Sequence, residues 1–431
     1  MATMPASADR WITGGNLALP PVIQFAAVTG NGQRATALHG VGDEQPINLS
    51  RELDFSPAPE HEAFRRVVRD FAAAEIAPRA ADWDRTAEFP LDVVRKMGNL
   101  GLFGLPFPEE YGGSGADFTT LCIAVEELAR VDSSMAITLE AGVGLGANPI
   151  NRFGTEEQKR RWLPDLLAGR ALAAFGLTEP DAGSDAGATR TRAERDGDEW
   201  VLNGEKAFIT NSGTEITSLV MVTAVTGPDE ISAFVVPAGT PGLMVGPAYH
   251  KMGWRASDTH PVRLDDCRVA GDALLGEVGQ GLRQFLAILD EGRIAIAAMS
   301  VGVAQACLDH SLGYAKEREA FGKPIGSNQA VAFSIADMQV AVDAARLLMF
   351  RAAWMRDNGK DHRAAAATAK LFASEAAVTA ARKATQIFGG SGFIDDTPVS
   401  RLYRDAKILE IGEGTSEIQR LLISRDLGLP V

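Results

Sequence analysis

Four short segments hold most of the residues able to do chemistry. They are Leu177-Thr-Glu-Pro-Asp-Ala-Gly-Ser-Asp185, Asn203-Gly-Glu-Lys-Ala-Phe-Ile-Thr-Asn211, Gln386-Ile-Phe-Gly-Gly-Ser-Gly392 and Ile411-Gly-Glu-Gly-Thr-Ser-Glu-Ile418. Glu413 is the sharpest of these residues. It lies between two glycines, just ahead of a helix opened by Thr415 or Ser416 with Ile418, Leu421 and Leu422 on its inner face. Taken alone, it reads as a helix-start acid favoured by the macrodipole. A carboxylate desolvated by a bound ligand would instead be a strengthened base. Gly183 and Ser184 sit in a loop where glycine permits close backbone approach to a ligand, although such a loop alone reads as a surface turn. Phe208 alone reads as the inward aromatic of a buried strand. Arg318 lies in Arg-Glu-Ala-Phe-Gly, eleven residues before Gln329. It reads as a solvated helix end, while its guanidinium fork also suits a phosphate.

These residues belong to a chain of 431 residues, long enough for several domains. Hydrophobic residues make up 46% and charged residues 23%, the balance of a globular protein. A net charge of −14 argues against a general nucleic-acid or anionic-membrane binder. It leaves room for an anionic ligand held by helix N-termini and local arginines. Cys122, Cys267 and Cys307 are far apart and odd in number, so no disulfide framework is implied and a reducing compartment is expected. The six histidines show no ligand spacing. The longest apolar run, Ile294 to Leu308, is too short to span a bilayer and contains Gln305, so it predicts a buried helix. The first thirty residues lack a basic region followed by an apolar core, and a cytoplasmic location is expected.

The positioning elements follow from periodicity. Residues 1–52 show none and read as an extension, expected to be partly disordered. Residues 53–170 predict an all-helical domain: Phe64, Val67, Val68 and Phe71 recur at helical spacing up to Pro78, as do Leu121, Val125, Leu128 and Val131. Thr155 with Gln158 forms a capping box. Residues 171–277 predict a β-barrel or sandwich. Its strands are expected at Trp200–Leu202, Ala207–Thr210, Ser218–Val225, Ile231–Val236 and Val262–Leu264, with turns at Asp198, Asn203-Gly204 and Gly227-Pro228. Residues 278–431 predict four long antiparallel helices, including one along the alanine-rich stretch Ala364 to Phe388.

Together, in this order and on this α–β–α background, the four segments resemble the acyl-CoA dehydrogenase family, over about residues 55–429. The resemblance implies an α+β fold of N-terminal helical domain, middle β-barrel and C-terminal four-helix bundle. It implies FAD as cofactor and an acyl-CoA substrate oxidised to a trans-2-enoyl-CoA, with Glu413 in the position of the base that removes the α-proton and hydride passing to the flavin. By resemblance Phe175, Leu177, Thr178, Gly183, Ser184, Phe208, Ile209, Thr210, Thr415, Ser416 and Glu417 contact FAD. Arg318, Phe321 and Gln329, with Gln386, Ile387, Phe388, Gly389 and Gly390, reach the FAD of a neighbouring subunit, which implies a homo-oligomer, usually a tetramer. Ser184, Asp290, Arg293 and Gly414 meet the substrate, and an electron-transferring flavoprotein is the implied acceptor. No metal is implied.

Some family members carry the base immediately before the arginine of a Leu-Asp-x-x-Arg stretch. Here that position is Gly292, and Glu291 lies about 100° away on a helix. Many straight-chain members have Tyr before the catalytic Glu, where this chain has Gly412, which predicts a pocket open to short, medium or branched acyl groups. Gly392 and Trp254 are weighed as pocket residues against turn and core readings. An acyl-CoA oxidase or flavin monooxygenase on the same fold, or a non-catalytic binding member, are the alternatives. A monooxygenase has no use for Glu413, and a binding member would have lost it.

Overall fold

The computed structural model describes residues 58–431, so the extension expected at 1–52 lies outside the described residues. Helix α1 (Pro59–Phe71) opens on a proline and carries Glu60 and Glu62 in its first turn, both suited to a helix N-terminus. Its apolar stripe is narrower than expected: Val68 is buried, whereas Val67, one step around the helix, is 47% exposed. A π-helical turn, Ala72–Ile76, follows before Pro78. Helices α2 (Ala80–Thr86), α3 (Leu91–Asn99) and α4 (Phe118–Ala129) come next, and Leu121, Val125 and Leu128 of α4 are all buried. Helix α5 (Ser133–Glu140) starts at Asp132, whose side chain accepts from the Met135 N–H. It runs through a second π-helical turn, Ala141–Ala147, into α6 (Asn148–Phe153). The capping box of Thr155 and Gln158 opens α7 (Glu156–Leu167) as read from the sequence.

Eight strands then form one sheet: β1 (Leu172–Gly176), β2 (Arg192–Asp196), β3 (Glu199–Thr210), β4 (Thr217–Gly227), β5 (Glu230–Pro237), β6 (Leu243–Val245), β7 (Thr259–Ala270) and β8 (Leu274–Leu275). The order is β6-β7-β3-β2-β4-β5-β8, with β1 parallel to β4. Among the described residues no pairing joins β6 to β8, so the barrel is open. Its interior is filled by a separate apolar cluster that includes Trp200, Leu202, Val222, Phe234 and Val262. The two strands expected at Trp200–Leu202 and Ala207–Thr210 are one. Asn203-Gly204 is not a turn but a register shift within β3 opposite β7. Glycine is required there because a Cβ would stand 2.4 Å from Thr191 Oγ1.

The C-terminal region departs from four long helices. Three are long, α8 (Gly281–Glu317), α9 (Gln329–Asp357) and α10 (Arg363–Phe388), and two are short, α11 (Pro398–Leu409) and α12 (Ser416–Asp426). The apolar run from Ile294 to Leu308 is the middle of α8, buried along nearly its whole length. Helix α10 packs against α8, α9, α11 and α12. Its buried alanines at 366, 369, 373, 377, 380, 381 and 384 keep its partners close.

Candidate active site

The first segment is pinned by a buried ion pair. The Glu179 carboxylate accepts from Lys206 Nζ at 2.7 Å, Thr189 Oγ1 at 2.9 Å, the Arg190 N–H at 2.6 Å and the Thr191 N–H at 3.0 Å. Burial alone would raise this carboxyl, but the Lys206 charge and these donors take it down to about 2. Lys206 is itself fully enclosed, and desolvation outweighs its ion pair and lowers the ammonium to about 8. Both partners are charged at neutral pH. Beyond this anchor the loop turns outward, leaving Gly183 and Ser184 exposed.

The second segment lies alongside, since the Ala207 N–H donates to the Thr178 carbonyl at 2.8 Å. At Phe208 the pairing of β3 with β7 breaks, φ is +62°, and the ring turns outward, 65% exposed and 5.2 Å from the Tyr249 ring. The inward reading of Phe208 is thereby overturned: the bulge reverses the alternation that a plain strand would impose. Ile209 instead packs in the sheet's interior cluster, and Thr210 is half-buried. Thr178 is half-buried, while Leu177 and Phe175 are buried, with the Phe175 ring stacked on Phe285 of α8 at 4.0 Å. Asn211, at the end of this segment, donates to the Thr138 carbonyl of α5 and so joins the sheet to the helix that ends at Glu140.

Glu413 leaves the end of α11 at φ +53°, a left-handed conformation uncommon for a side-chain-bearing residue, and Gly414 follows at +98°. Two donors hold this turn by the Gly414 carbonyl: Lys370 Nζ at 2.7 Å and Gln419 Nε2 at 2.8 Å. Thr415 caps α12, its hydroxyl accepting from the Ile418 N–H. Ser416 is buried with its hydroxyl unpartnered among the described residues, while Glu417 is exposed. Although the Glu413 residue is only half-buried, both carboxylate oxygens are enclosed, and among the described residues no donor reaches them. Burial therefore raises this carboxyl, restrained by Glu140, Lys370 and Arg293 nearby.

Helix α8 closes the other side. A Cβ on Gly292 would stand 1.9 Å from Glu413 Oε2, so the glycine makes room for the carboxylate. Glu291 points away into ion pairs with Arg152 at 2.8 Å and Arg356 at 3.1 Å, which removes it as a competing base. Asp290 and Arg293 form an intra-helix ion pair, and Arg293 is buried with its Nε unpartnered among the described residues. Gly392 is buried, where a Cβ would stand 2.4 Å from the Thr385 carbonyl. Trp254 is buried, with its backbone N–H donating to Asp405 at 2.7 Å. Both behave as turn and core residues.

Arg318, Phe321, Gln329 and Gln386 to Gly390 are not part of this constellation. They gather at the far end of the bundle, where Tyr314 stacks on Phe388 at 4.1 Å. Arg318, Gln329, Gln386, Gly389 and Gly390 are exposed, Phe321 is 98% exposed, and Ile387 and Phe388 are half-buried. From Gly292 to the end of α8 is 25 residues, roughly 37 Å along a helix.

The segments that could do chemistry thus fall into two sets, one built around an enclosed, donor-free carboxylate. Three family models, the N-terminal, middle and C-terminal domains of acyl-CoA dehydrogenase, match residues 58–170, 174–267 and 279–428. The chain belongs to the acyl-CoA dehydrogenase family. These enzymes are FAD-dependent oxidoreductases acting on a CH–CH bond, and this chain is an acyl-CoA dehydrogenase by that membership. A probable acyl-CoA dehydrogenase of Bacillus subtilis is 52% identical over 87% of this chain and 100% of its own. A butyryl-CoA dehydrogenase structure from Megasphaera elsdenii is 40% identical with TM-score 0.85, covering 87% of this chain and all of the other. A glutaryl-CoA dehydrogenase of Mycobacterium smegmatis in complex with FADH2 is 32% identical with TM-score 0.83, over 88% of this chain and 96% of its own.

Three residues around the Glu413 turn escaped the sequence reading: Glu140, Lys370 and Gln419. Two carried a signal. Glu140 is a lone charge in the apolar run Met135 to Leu145, and Lys370 a lone charge between Ala364 and Ala373. A buried charge in such a run needs a partner or a task.

Proposed function

We propose that this chain oxidises a short- to medium-chain acyl-CoA, straight or branched, to the trans-2-enoyl-CoA, with Glu413 taking the α-proton. The observation that supports this most is the Glu413 carboxylate, enclosed, donor-free and raised by burial. Such a group gains by accepting a proton. Its backbone N–H is available to the thioester carbonyl as enolate charge develops, while Lys370 and Gln419 fix the turn that carries it. The residues present suit FAD: an outward aromatic at Phe208 for the ring system, the open loop at Gly183 and Ser184, and the N-terminus of α12 at Thr415 to Glu417, with an orphaned Ser416 hydroxyl. Phe175, Leu177, Thr178, Ile209 and Thr210 are assigned to the same cofactor. Bound FAD supplies the acceptor for the hydride leaving the β-carbon. Ser184, Asp290, Arg293 and Gly414 are assigned to the acyl-CoA.

The second set, from Arg318 to Gly390, is too distant to serve the same cofactor and is assigned to the FAD of a neighbouring subunit in a homotetramer. An electron-transferring flavoprotein is the proposed acceptor, in the cytoplasm. Among the described residues no helix is long and apolar enough to cross a membrane.

The test is anaerobic addition of butyryl-, isovaleryl- and octanoyl-CoA to purified protein, following flavin absorbance, beside Glu413→Gln. Bleaching in wild type and a fall of about 10²–10⁴ in the variant, with FAD retained, is expected. FAD-loaded wild type that no acyl-CoA bleaches would sink the reading. Rapid reoxidation by oxygen would turn it to an oxidase.

A further inference from the structure

Glu140 is the last residue of α5, where the helix enters its π-helical turn, and it is fully buried. Neither of its carboxylate oxygens has a hydrogen-bond partner among the described residues, and neither does either oxygen of Glu413. Yet the two carboxyl groups lie within hydrogen-bond reach of each other. Two ionised carboxylates are acceptors with no donor between them, whereas one proton makes them a bonded pair. The nearby cations do not supply that donor. Lys370 donates to the Gly414 carbonyl, and Arg293 is paired with Asp290. Space is tight as well, since a Cβ on Gly144 would stand 2.6 Å from Glu140 Oε1. Two adjacent enclosed carboxyls cannot both stay ionised without heavy repulsion.

We propose that Glu140 is a positioning residue for the base, the two carboxyls of the resting enzyme holding one proton that Glu140 carries and donates to the Glu413 carboxylate. This rests on Glu413 being the base. The neutral Glu140 O–H gives a buried Glu413 the one hydrogen bond that keeps it ionised and aimed. In turnover the substrate's α C–H bond breaks and its proton goes to Glu413, so the pair passes from one proton to two. The electron pair stays on the thioester as enolate, and the hydride from the β-carbon reduces the flavin. Release of one proton to solvent restores the pair. The groups facing it are Glu140, Glu413, Lys370 and Arg293. Burial and the Glu413 charge push Glu140 well above the carboxylate range, while the Glu140 hydrogen bond, Lys370 and Arg293 hold Glu413 down.

The experiment uses FAD-loaded wild type, Glu140→Gln and Glu140→Leu, with anaerobic flavin reduction by butyryl-CoA measured across pH. The acid limb of the profile moves up by about one pH unit or more in Glu140→Leu, where Glu413 loses its donor. Each unit costs tenfold in rate below the limb. Glu140→Gln keeps an N–H donor and falls between. Infrared difference spectra without substrate give a second readout: a protonated-carboxyl band at neutral pH that Glu140→Gln abolishes. A limb that stays or moves down in Glu140→Leu, or a wild type without the band, overturns the proposal. Persistent flavin bleaching in Glu413→Gln would instead remove the base assignment and leave the infrared test of the pair intact.

Discussion

Glu179 and Glu413 are carboxylates enclosed by the same molecule and given opposite surroundings. Glu179 meets an ammonium, a hydroxyl and two backbone N–H groups, and stays ionised down to about pH 2. Glu413 meets no ammonium, hydroxyl or N–H donor among the described residues, its close neighbour being the Glu140 carboxyl, and is raised by its burial. The first arrangement makes a shape: it fixes the root of the loop whose tip carries Gly183 and Ser184. The second leaves a proton affinity unmet, which is what a base requires. Glu291, tied to Arg152 and Arg356 one residue from Gly292, belongs with Glu179. Burial alone therefore does not set the proton affinity of a carboxylate here; the donors that meet it do.

Breaking the satisfied side should have the largest effect. Lys206→Met leaves Glu179 buried without its counter-ion, and a loss of about 3–5 kcal/mol in folding free energy is expected by chemical denaturation. The pH dependence sharpens this. The folded pKa of Glu179 lies below its ordinary 4.5, so its contribution is present above 4.5 and lost as pH falls towards 2. Glu413 has the opposite sign, its contribution being present at low pH and lost as pH rises through its raised value. Lys206→Met should therefore flatten the acid loss of stability between pH 4.5 and 2. A variant as stable as wild type, with the same acid profile, would show that the ion pair holds nothing.

On the unsatisfied side the matching change is Gly292→Ala. The new methyl would stand 1.9 Å from Glu413 Oε2, so the carboxylate must swing aside. A displacement of about 1 Å at a reacting group costs about 10²-fold, so flavin reduction should slow by that factor while FAD content is kept. Stopped-flow reduction within twofold of wild type would mean that the carboxylate position is not set by α8.

The order of helices and strands was legible because it rests on local patterns: Thr155 with Gln158, the apolar run through α8, the alanines of α10. Asn203-Gly204 misled because its glycine answers a close approach by Thr191, a contact between strands that no local window contains. Phe208 misled for the same reason, its bulge being set by pairing with β7. Glu413 was legible through its motif. Its partners Glu140 and Lys370 come from 273 and 43 residues upstream and meet it only in the fold. Lone charges in apolar helices mark such places without saying what they face.

The smallest expected effect concerns the width of the pocket rather than the base. Gly412 has no backbone need to be glycine: its φ is not left-handed, and a Cβ would meet only the Ile408 carbonyl, at an ordinary 3.5 Å. Its small size is then free to act on the acyl group beside Glu413. Gly412→Tyr should preserve the turn, since Lys370 and Gln419 hold it by Gly414 and not by residue 412. Relative kcat/KM for isovaleryl- and 2-methylbutyryl-CoA against butyryl-CoA is expected to fall by about tenfold, the scale on which a pocket resolves a methyl group. An unchanged ratio would mean that branching is sensed elsewhere. A loss shared equally by all three substrates would mean that the tyrosine had moved Glu413 itself, returning the residue to the side of the comparison that Gly292→Ala probes.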